Sequence, residues 1–393
     1  MRVVIVNPVW DRAHRTPTET LARFHTLTGW AEAVRAQPAV TVTVCQRYGT
    51  NASLELNGVS YRFCADRSRP VPRRSTRATR LFHQAVLDAD PDVVHVNGLV
   101  FPELIRGLRA VLPQRTALVV QDHGGFEPSD ASAFMRIWLR RGLAAADAVL
   151  VSSPGQAEEL RQSRIAPAET LVADVMESST TLRPIPRSQA RAELQMMGEP
   201  SLLWVGRLNE NKDPLTVLRG VAAWFPQHPR ATLTMAFQEG ALDEAVRRFV
   251  AATPELKARV SLVGAVPHDR LPAYYSAADL FVLGSHHEGS GYAAIEALAC
   301  GAVPVVTDIA PFRALTDDGA FGALWQPGNA ESFTLALDRA RSRPLSEQRQ
   351  AARERFDREF SWPHIGHRAM AIYREVIALR GPVLSGVRTH RPA

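Results

Sequence analysis

Short apolar runs alternate with longer amphipathic stretches along this chain, and this alternation is the feature that most limits its fold. Ten runs predict strands: Val3–Val6, Val40–Val44, Val93–Val96, Ala117–Val120, Ala148–Val151, Ser201–Val205, Thr232–Phe237, Val260–Val263, Leu280–Leu283 and Val303–Val306. Strands that alternate with helices form parallel sheets with helical crossovers. We therefore predict an α/β protein made of doubly wound, Rossmann-like sheets, which bind ligands beyond the carboxyl ends of their strands.

A chain of 393 residues exceeds the size of one ordinary core, so two domains are expected. Two prolines in the segment Leu182–Arg187 disfavour both helix and central strand, which marks a hinge. We predict an acceptor-side domain over 1–182 and a ligand-binding domain over 187–362, facing each other across a central cleft. The apolar spacing after Pro363 predicts a helix over 364–380 that crosses back to pack on the first domain.

The cysteines and the amino-terminal residues indicate in which cellular compartment the protein resides. Cys45, Cys64 and Cys300 are far apart and odd in number, which favours neither a disulfide framework nor a zinc site. The amino terminus has the character of a first buried strand and lacks the length and flanks of a signal peptide. No apolar run is long enough to span a bilayer. We expect a cytoplasmic protein.

The net charge of +6 and the sequence pI near 9.6 suggest an anionic partner. Six arginines fall within Arg67–Arg80, a segment that reads as a basic loop leading into a helix. Such a run is usually a solvated surface, but it could also dock peripherally on anionic lipid at the inner membrane face or hold an anionic acceptor. Nucleic acid is not expected, because zinc-finger spacing, RNP-like strands and heptad-linked basic helices are missing from the sequence.

The segment from Ser285 to Asp308 carries the first set of candidate site residues. Gly289, Ser290 and Gly291 lack bulk where backbone N–H groups at a helix start would face an anion. Glu288 precedes this start and could reach a sugar hydroxyl, whereas Glu296 lies about two turns into the helix, where it could accept from a ribose diol. The alternative for Glu296 is a salt-bridged glutamate at a helix–sheet junction.

A second set follows the strand at Ser201–Val205. Gly206 and Arg207 end this strand, and Lys212 stands in the turn before a helix start at Asp213-Pro214. Two cations at the end of a strand can neutralise a diphosphate leaving group without a metal ion. An ordinary surface ion pair is the alternative for Arg207.

These motifs together resemble those of a known family. VGRLNENKD, GAVPHDRLPAYYSAADLFVL and EGSGYAAIEALACGAVPVVTD are similar, in this order, to the signatures of the family 4 retaining glycosyltransferases with the GT-B fold. The resemblance implies that Arg207 and Lys212 hold the donor diphosphate and that Glu296 takes the ribose. It implies that the other donor contacts come from Gly206, Ala265, Val266, Glu288, Gly289, Ser290, Gly291, Tyr292 and Ala293, with Glu288 and the following amides on the sugar and Ala265–Val266 at the base.

The first half resembles the family more loosely, through Pro91–His95 and Ala145–Ser153. His123 occupies the place of a family histidine that projects toward the transferred sugar, although a histidine after a buried strand is more often a structural hydrogen-bonding group. The family's Gly-Gly loop is missing after the first strand, and Asp174–Thr181 replaces its asparagine-glycine turn. The acceptor-side loops are therefore expected to be remodelled.

The resulting hypothesis is a retaining, metal-independent glycosyltransferase. It would move a sugar from a UDP- or GDP-linked donor to a hydroxyl of a glycan, a lipid-linked acceptor or a small molecule, without a cofactor. No metal is expected either, on the interpretation that the sequence holds neither an Asp-x-Asp pattern nor a His/carboxylate cluster with ligand spacing. Two alternatives stay open: a nucleotide-sugar epimerase or hydrolase of the same fold, and a non-catalytic, glycosyltransferase-like partner subunit. A Rossmann dehydrogenase is disfavoured, because no G-x-G-x-x-G follows the first strand.

Overall fold

The computed structural model describes residues 1–10, 13, 15–66, 77–123, 126 and 128–381. The chain divides into two compact units, one formed by Met1–Glu177 with the chain from Ile365 onward and the other by Ser178–His364. The sequence had assigned 178–182 to the first domain instead. These residues belong to the second unit because Ser178 Oγ donates to Ser290 Oγ at 2.7 Å and Ser179 Oγ donates to the carbonyl of Phe360.

The first unit contains an eight-stranded sheet of order β3-β4-β2-β1-β5-β6-β7-β8. Its strands are β1 (Arg2–Asn7), β2 (Thr41–Tyr48), β3 (Ala52–Leu56), β4 (Val59–Ala65), β5 (Val93–Asn97), β6 (Ala117–Gln121), β7 (Ala148–Val151) and β8 (Leu171–Asp174). Neighbouring strands are parallel, except for the antiparallel pair β3–β4. The chain thus starts in the middle of the sheet, builds outward through β4 and returns beside β1 with β5, which is the doubly wound order that the sequence predicts.

Helices cover this sheet. They are α1 (Pro17–Arg23), α2 (His25–Arg35), α3 (Arg77–Leu87), α4 (Pro102–Val111), α5 (Ala133–Leu143) and α6 (Pro154–Gln162). The last helix that the structure describes, Trp362–Arg380, also contributes to this unit from Ile365 onward. Its Gly366 lies so close to α2 that a Cβ there would be 2.2 Å from the carbonyl oxygen of Ala33.

Buried hydrogen bonds hold this last helix in place. The Tyr373 hydroxyl accepts from Trp30 Nε1 at 3.3 Å and lies 2.6 Å from His95 Nδ1. Burial lowers the pKa of His95 to about 3, so this histidine is neutral at physiological pH. The structure confirms the return of the carboxyl-terminal helix to the first domain.

The second unit contains a six-stranded sheet in which every pair of neighbours is parallel, in the order β11-β10-β9-β12-β13-β14. Its strands are β9 (Ser201–Arg207), β10 (Thr232–Gln238), β11 (Val260–Gly264), β12 (Leu280–Leu283), β13 (Val303–Thr307) and β14 (Ala323–Trp325). The helices are α7 (Arg187–Leu194), α8 (Pro214–Trp224), α9 (Asp243–Ala252), α10 (Pro254–Lys257), α11 (Leu271–Ala277), α12 (Tyr292–Ala299), α13 (Ala310–Thr316), α14 (Ala330–Arg341) and α15 (Leu345–Arg355), and the helix Trp362–Arg380 is α16.

The strand order determines where the ligand-binding edge of this second sheet lies. From β9 the chain proceeds outward to β10 and β11 and then returns beside β9 with β12. The loops after β9 and β12 therefore leave neighbouring strands in opposite directions, which opens a crevice at the carboxyl edge of the sheet. Both sets of candidate residues, 206–212 and 288–296, follow these two strands.

Two sequence interpretations need comment. Most of the basic segment Arg67–Arg80 lies outside the described residues; of its arginines, the structure describes the side chain of Arg80, which is exposed. The expectation that the sequence holds no Asp-x-Asp pattern was wrong, because Asp90 and Asp92 form one. These carboxylates lie at the amino end of β5, where both pair with Arg2, so they stabilise that end of the sheet. Within the described ranges, no helix combines the length and apolarity needed to cross a bilayer.

Candidate active site

A short turn after β9 positions Lys212. Asn209 caps it, because the Asn209 side-chain oxygen accepts from the Lys212 amide at 2.9 Å. Asp213 follows in the left-handed region (φ +39°) and caps α8 through Thr216 N at 3.2 Å. The turn lies against Gly284, directly after β12, where a Cβ would be 3.0 Å from the Asp213 carbonyl oxygen. Glycine at 284 thus allows the loops after β9 and β12 to meet.

Lys212 and Glu288 form an ion pair at this meeting point. Their side chains are 21% and 11% exposed, so the pair is partly shielded from solvent. Ser285 Oγ also donates to Glu288 Oε1, at 2.7 Å. Asn211 connects the two loops: its Nδ2 donates to the carbonyl of His287 and its Oδ1 accepts from His287 N, both at 3.0 Å. A cation and a carboxylate from two separate motifs therefore lie together.

Arg207 lies at the same edge of the sheet but not in this pair. Its side chain is exposed, and its Nε donates to Gln238 Oε1 at 3.2 Å, across the ends of β9 and β10. Gly206 precedes it, and a Cβ there would be 3.0 Å from the indole ring of Trp204. The two predicted diphosphate cations thus lie at the end of β9 and in the turn that follows it, and among the described residues Lys212 is the one of the two that pairs with a carboxylate.

The start of α12 has little room for side chains. Gly291 caps the helix with φ +72°, and a Cβ there would lie 2.7 Å from Phe312 Cε1. A larger residue at 291 would meet both backbone strain and a clash. Ser290 is buried and accepts from Ser178, whereas Gly289, Tyr292 and Ala293 are half-buried at the mouth of the helix. The predicted glycine-rich helix start is therefore present.

Glu296 is 2% exposed and its carboxylate is surrounded by donors. His268 Nε2 lies 2.5 Å from Oε1, and the Tyr275 hydroxyl donates to Oε2 at 2.9 Å. The hydrogen bond to Glu296 raises the pKa of His268. Burial, with Glu296 adding to it, raises the pKa of Tyr275 and of Tyr292, so both phenols stay protonated donors. The structure thus contains the His–Glu pairing that the alternative interpretation of Glu296 required.

The predicted base-binding backbone lies just before His268, which contacts this carboxylate. β11 ends at Gly264, which has φ +78°, and Ala265 is exposed while Val266 is half-buried. The turn that begins at His268 follows directly. The loop that carries 265–266 therefore also supplies a side chain that contacts Glu296.

In the first unit, His123 follows β6 and is held by a carboxylate. Its Nδ1 lies 2.6 Å from Glu177 Oε2, and both side chains are largely buried. Among the described residues, His123 Nε2 and both amide atoms of Gln121 are buried without a hydrogen-bond partner. Glu177 therefore orients the imidazole through Nδ1, while Nε2 forms no hydrogen bond with the described residues.

Family models match both halves of the chain. Residues 187–357 match the model of the family described as glycosyl transferases group 1, and residues 26–172 match the model of Glycosyltransferase Family 4. Together the two matches cover most of the chain, in the order expected of one enzyme.

The chain belongs to glycosyltransferase family 4.

This glycosyltransferase is 27% identical over 323 residues to the GDP-mannose:cellobiosyl-diphosphopolyprenol alpha-mannosyltransferase of Xanthomonas oryzae pv. oryzae, covering 79% of this chain and 82% of that one. Its fold is similar to that of sucrose-phosphate synthase from Thermosynechococcus elongatus, with a TM-score of 0.72, 21% identity and coverage of 96% and 99%. Anabaena HepE, solved in complex with UDP, gives a TM-score of 0.70 at 16% identity and covers 95% and 100%. The GT-B fold is thereby shown, and the chain is a transferase that uses nucleotide-sugar donors.

The structure of this family 4 glycosyltransferase also identifies site residues that the sequence analysis missed. Asn211 bonds to the backbone of His287, Ser285 donates to Glu288 and Tyr275 donates to Glu296. Their residue types gave no signal because Asn, Ser and Tyr are common in loops and cores. Glu177 was noted only as part of a departure from the family pattern.

The rarity of lysine in this chain also singles out Lys212. The chain contains 46 Lys and Arg residues, and only Lys212 and Lys257 are lysines. A chain that otherwise uses arginine keeps a compact, strongly hydrated ammonium at 212, which argues for a specific requirement at that position.

Proposed function

We propose that this glycosyltransferase catalyses retaining, metal-independent transfer of a sugar from a nucleotide diphosphate sugar to a hydroxyl acceptor. The observation that carries the proposal is the Lys212–Glu288 ion pair, held at the carboxyl edge of β9 and β12. It places a cation suited to a diphosphate beside a carboxylate suited to a sugar hydroxyl. Arg207 extends from the same edge and is the second predicted diphosphate cation.

In the proposed step, the acceptor oxygen forms a bond to the anomeric carbon as the bond from that carbon to the diphosphate oxygen breaks. The bonding electron pair leaves with the diphosphate, and the acceptor proton passes to a phosphate oxygen on the same face of the sugar. Lys212 and Arg207 stabilise the charge that grows on the departing diphosphate. Positioning and charge stabilisation then supply most of the rate enhancement.

The remaining site residues are assigned to binding. Glu296 accepts from the ribose hydroxyls, since an ionised carboxylate offers about four acceptor positions and His268 and the tyrosines need not fill all of them. The backbone at 265–266 meets the base. His123, oriented by Glu177, contacts the transferred sugar through Nε2.

The name of the Xanthomonas relative suggests the first substrates to test. GDP-mannose is the leading donor candidate, and a glycan carried on a polyprenyl diphosphate is the leading acceptor candidate. UDP-linked sugars form the second group of donors, because HepE was solved with UDP.

The test is a product assay with the full-length protein, a panel of GDP- and UDP-linked sugars and a lipid diphosphate-linked acceptor. We expect transfer in the presence of EDTA and a product with the anomeric configuration of the donor, determined by NMR. A product of opposite configuration would reject retention, and activity restored after EDTA only by magnesium or manganese would reject metal independence. Donor turnover that does not depend on acceptor would support the epimerase or hydrolase instead.

A further inference from the structure

The carboxylate of Glu296 already has most of its hydrogen-bonding positions filled. His268 Nε2 lies 2.5 Å from Oε1, and the Tyr275 hydroxyl donates to Oε2 at 2.9 Å. The Tyr292 hydroxyl also hydrogen-bonds to this carboxylate. An ionised carboxylate accepts about four hydrogen bonds, so about one position is left. A ribose diol has two hydroxyls to donate, so binding both of them requires one of the three present donors to leave.

The three donors differ in how readily they can leave Glu296. Tyr275 is fully buried on α11, and its ring packs against Phe281 with the ring centroids 5.9 Å apart. Tyr292 is the first residue of α12 and is half-buried. The His268 side chain is 55% exposed. Because a half-exposed side chain has little buried surface to lose when it turns into solvent, His268 is the donor that a ligand can displace.

The charges around His268 strengthen its pairing with Glu296. Glu296 faces the imidazole from α12, and Asp269 lies beside it in the same turn. The hydrogen bond to Glu296 raises the pKa of His268 against the opposing effect of burial, and the negative charges of Glu296 and Asp269 raise it further. Displacement of His268 therefore separates a charged pair whenever the imidazole is protonated.

The other titratable groups near this carboxylate do not compete for that charge. Burial raises the pKa of the Tyr275 and Tyr292 hydroxyls and raises the pKa of the Cys300 thiol to about 12, so all three are neutral at physiological pH. Arg270, the other cation of the His268 turn, pairs with Glu193. Among the described residues around Glu296, His268 is thus the group whose charge changes in the neutral range.

We propose that His268 is a specificity-determining residue of the donor site, which pairs with Glu296 until a ribose diol takes its place. The inference rests on the proposed function, because that function assigns the ribose to Glu296. A ligand with both hydroxyls makes two bonds to the carboxylate and so offsets the loss of His268. A nucleotide without these hydroxyls leaves the His268–Glu296 pair intact. The donor site therefore distinguishes ribonucleotides from nucleotides that lack the diol.

Displacement of His268 makes recognition of the ribose depend on pH. Below about pH 6.5 His268 is protonated with or without a ligand, so a ribose diol must break the charged pair. As pH rises through the raised pKa, the paired imidazole loses its proton and its interaction with Glu296 weakens. Ribonucleotides should therefore bind more weakly near pH 6 than near pH 8.5.

The test is isothermal titration calorimetry of the full-length protein with GDP, UDP and their 2′,3′-dideoxy forms, at about pH 6 and about pH 8.5. A phosphate group also titrates near pH 6, but each dideoxy form carries the same diphosphate, so the ratio of the two dissociation constants isolates the ribose. We expect the affinity advantage of the ribonucleotide to fall about three- to tenfold at the lower pH. His268→Ala should remove this fall and bind the ribonucleotide more tightly than wild type near pH 6, without a change for the dideoxy form.

Two further variants serve as controls. His268→Gln keeps a hydrogen-bond donor but cannot become cationic, so it should lose the pH dependence. His367→Ala removes an exposed histidine of α16 for which no role is proposed, and it should behave like wild type. Thermal unfolding establishes that each variant is folded at the assay temperature.

Three results would overturn this inference and leave the proposed function in place. The first is an equal ribonucleotide advantage at both pH values, and the second is a His268→Ala variant that keeps the wild-type pH dependence. The third is a His268→Ala variant that binds ribonucleotides more weakly, because His268 would then assist the ribose. Failure of every nucleotide to bind would reject the donor site of the proposed function, and the inference with it.

Discussion

Replacement of Lys212 by alanine tests the core of the proposed mechanism. The Lys212 side chain leaves the turn after β9 and pairs with Glu288, which also accepts from Ser285 Oγ. The variant removes the ammonium but leaves Glu288 with one of its two hydrogen-bond donors. The effect on folding should therefore be much smaller than the effect on catalysis.

The two magnitudes can be estimated separately. Loss of the partner of a largely buried carboxylate that keeps a second donor should cost about 1–2 kcal/mol of unfolding free energy. For a unit of this size that lowers Tm by roughly 2–8 °C. Loss of one group that stabilises developing charge in the transition state should cost about 3 kcal/mol, or about a hundredfold in kcat.

The assay compares kcat, KM for the donor and Tm in wild type, Lys212→Ala and Lys257→Ala. Lys257 ends the short helix α10, where no catalytic role is proposed, and it is the only other lysine in the chain. This scarcity allows a second readout by mass spectrometry. Donor or nucleotide diphosphate should protect Lys212 from acylation, while Lys257 reports the unprotected rate in the same sample.

Three outcomes would refute this reasoning. The first is a Lys212→Ala enzyme whose kcat lies within about threefold of wild type, because a diphosphate-stabilising cation cannot be that dispensable. The second is an equal loss in Lys257→Ala, which would show that the defect is not local. The third is a kcat loss fully explained by unfolding, detected as a Tm below the assay temperature.

Three further predictions concern stability. Gly291→Ala should lower the free energy of unfolding by about 2–4 kcal/mol in denaturant titrations, because the position combines a positive φ with a steric clash. Gly264→Ala is the control: it has a similar φ but open space around the Cβ, so it should lose only the backbone contribution of about 1 kcal/mol. The pKa of His268 is raised in the folded protein, so its bond to Glu296 contributes its full stabilisation of the fold below about pH 6.5 and loses it as pH rises through the folded-state pKa. His268→Ala should therefore lower the free energy of unfolding more near pH 6 than near pH 9. Tyr373→Phe should cost about 1–3 kcal/mol, because Trp30 and His95 lose their shared hydroxyl; equal stability would contradict that network.

The local rules of the sequence were sufficient for most elements of the fold. All ten predicted strand runs lie in or overlap observed strands, because Val, Leu and Ile in short runs suit buried parallel sheets. The hairpin β3–β4 was missed since β3 is largely exposed and carries no buried run. Its Asn57-Gly58 turn, in which both residues have positive φ, is the signal that could have found it.

The sequence likewise identified some residues of the candidate site and missed their partners. The sequence identified Lys212, Glu288 and Glu296 through motif order, and the comparisons show the family to which these motifs belong. Their assigned roles stay predictions. The partners of these residues, Ser285, His268 and Tyr275, could not be found, because nothing in local spacing says which side chain lies opposite a buried carboxylate.

By itself, the sequence determined the α/β architecture, the presence of two units and the residue types available for binding a sugar nucleotide, because periodicity and turn chemistry act over a few residues. Only the tertiary structure decided that Lys212 and Glu288, 76 positions apart, meet in one ion pair. The reason is the return of the chain from β11 to β12 beside β9, with Gly284 permitting close approach of the two loops.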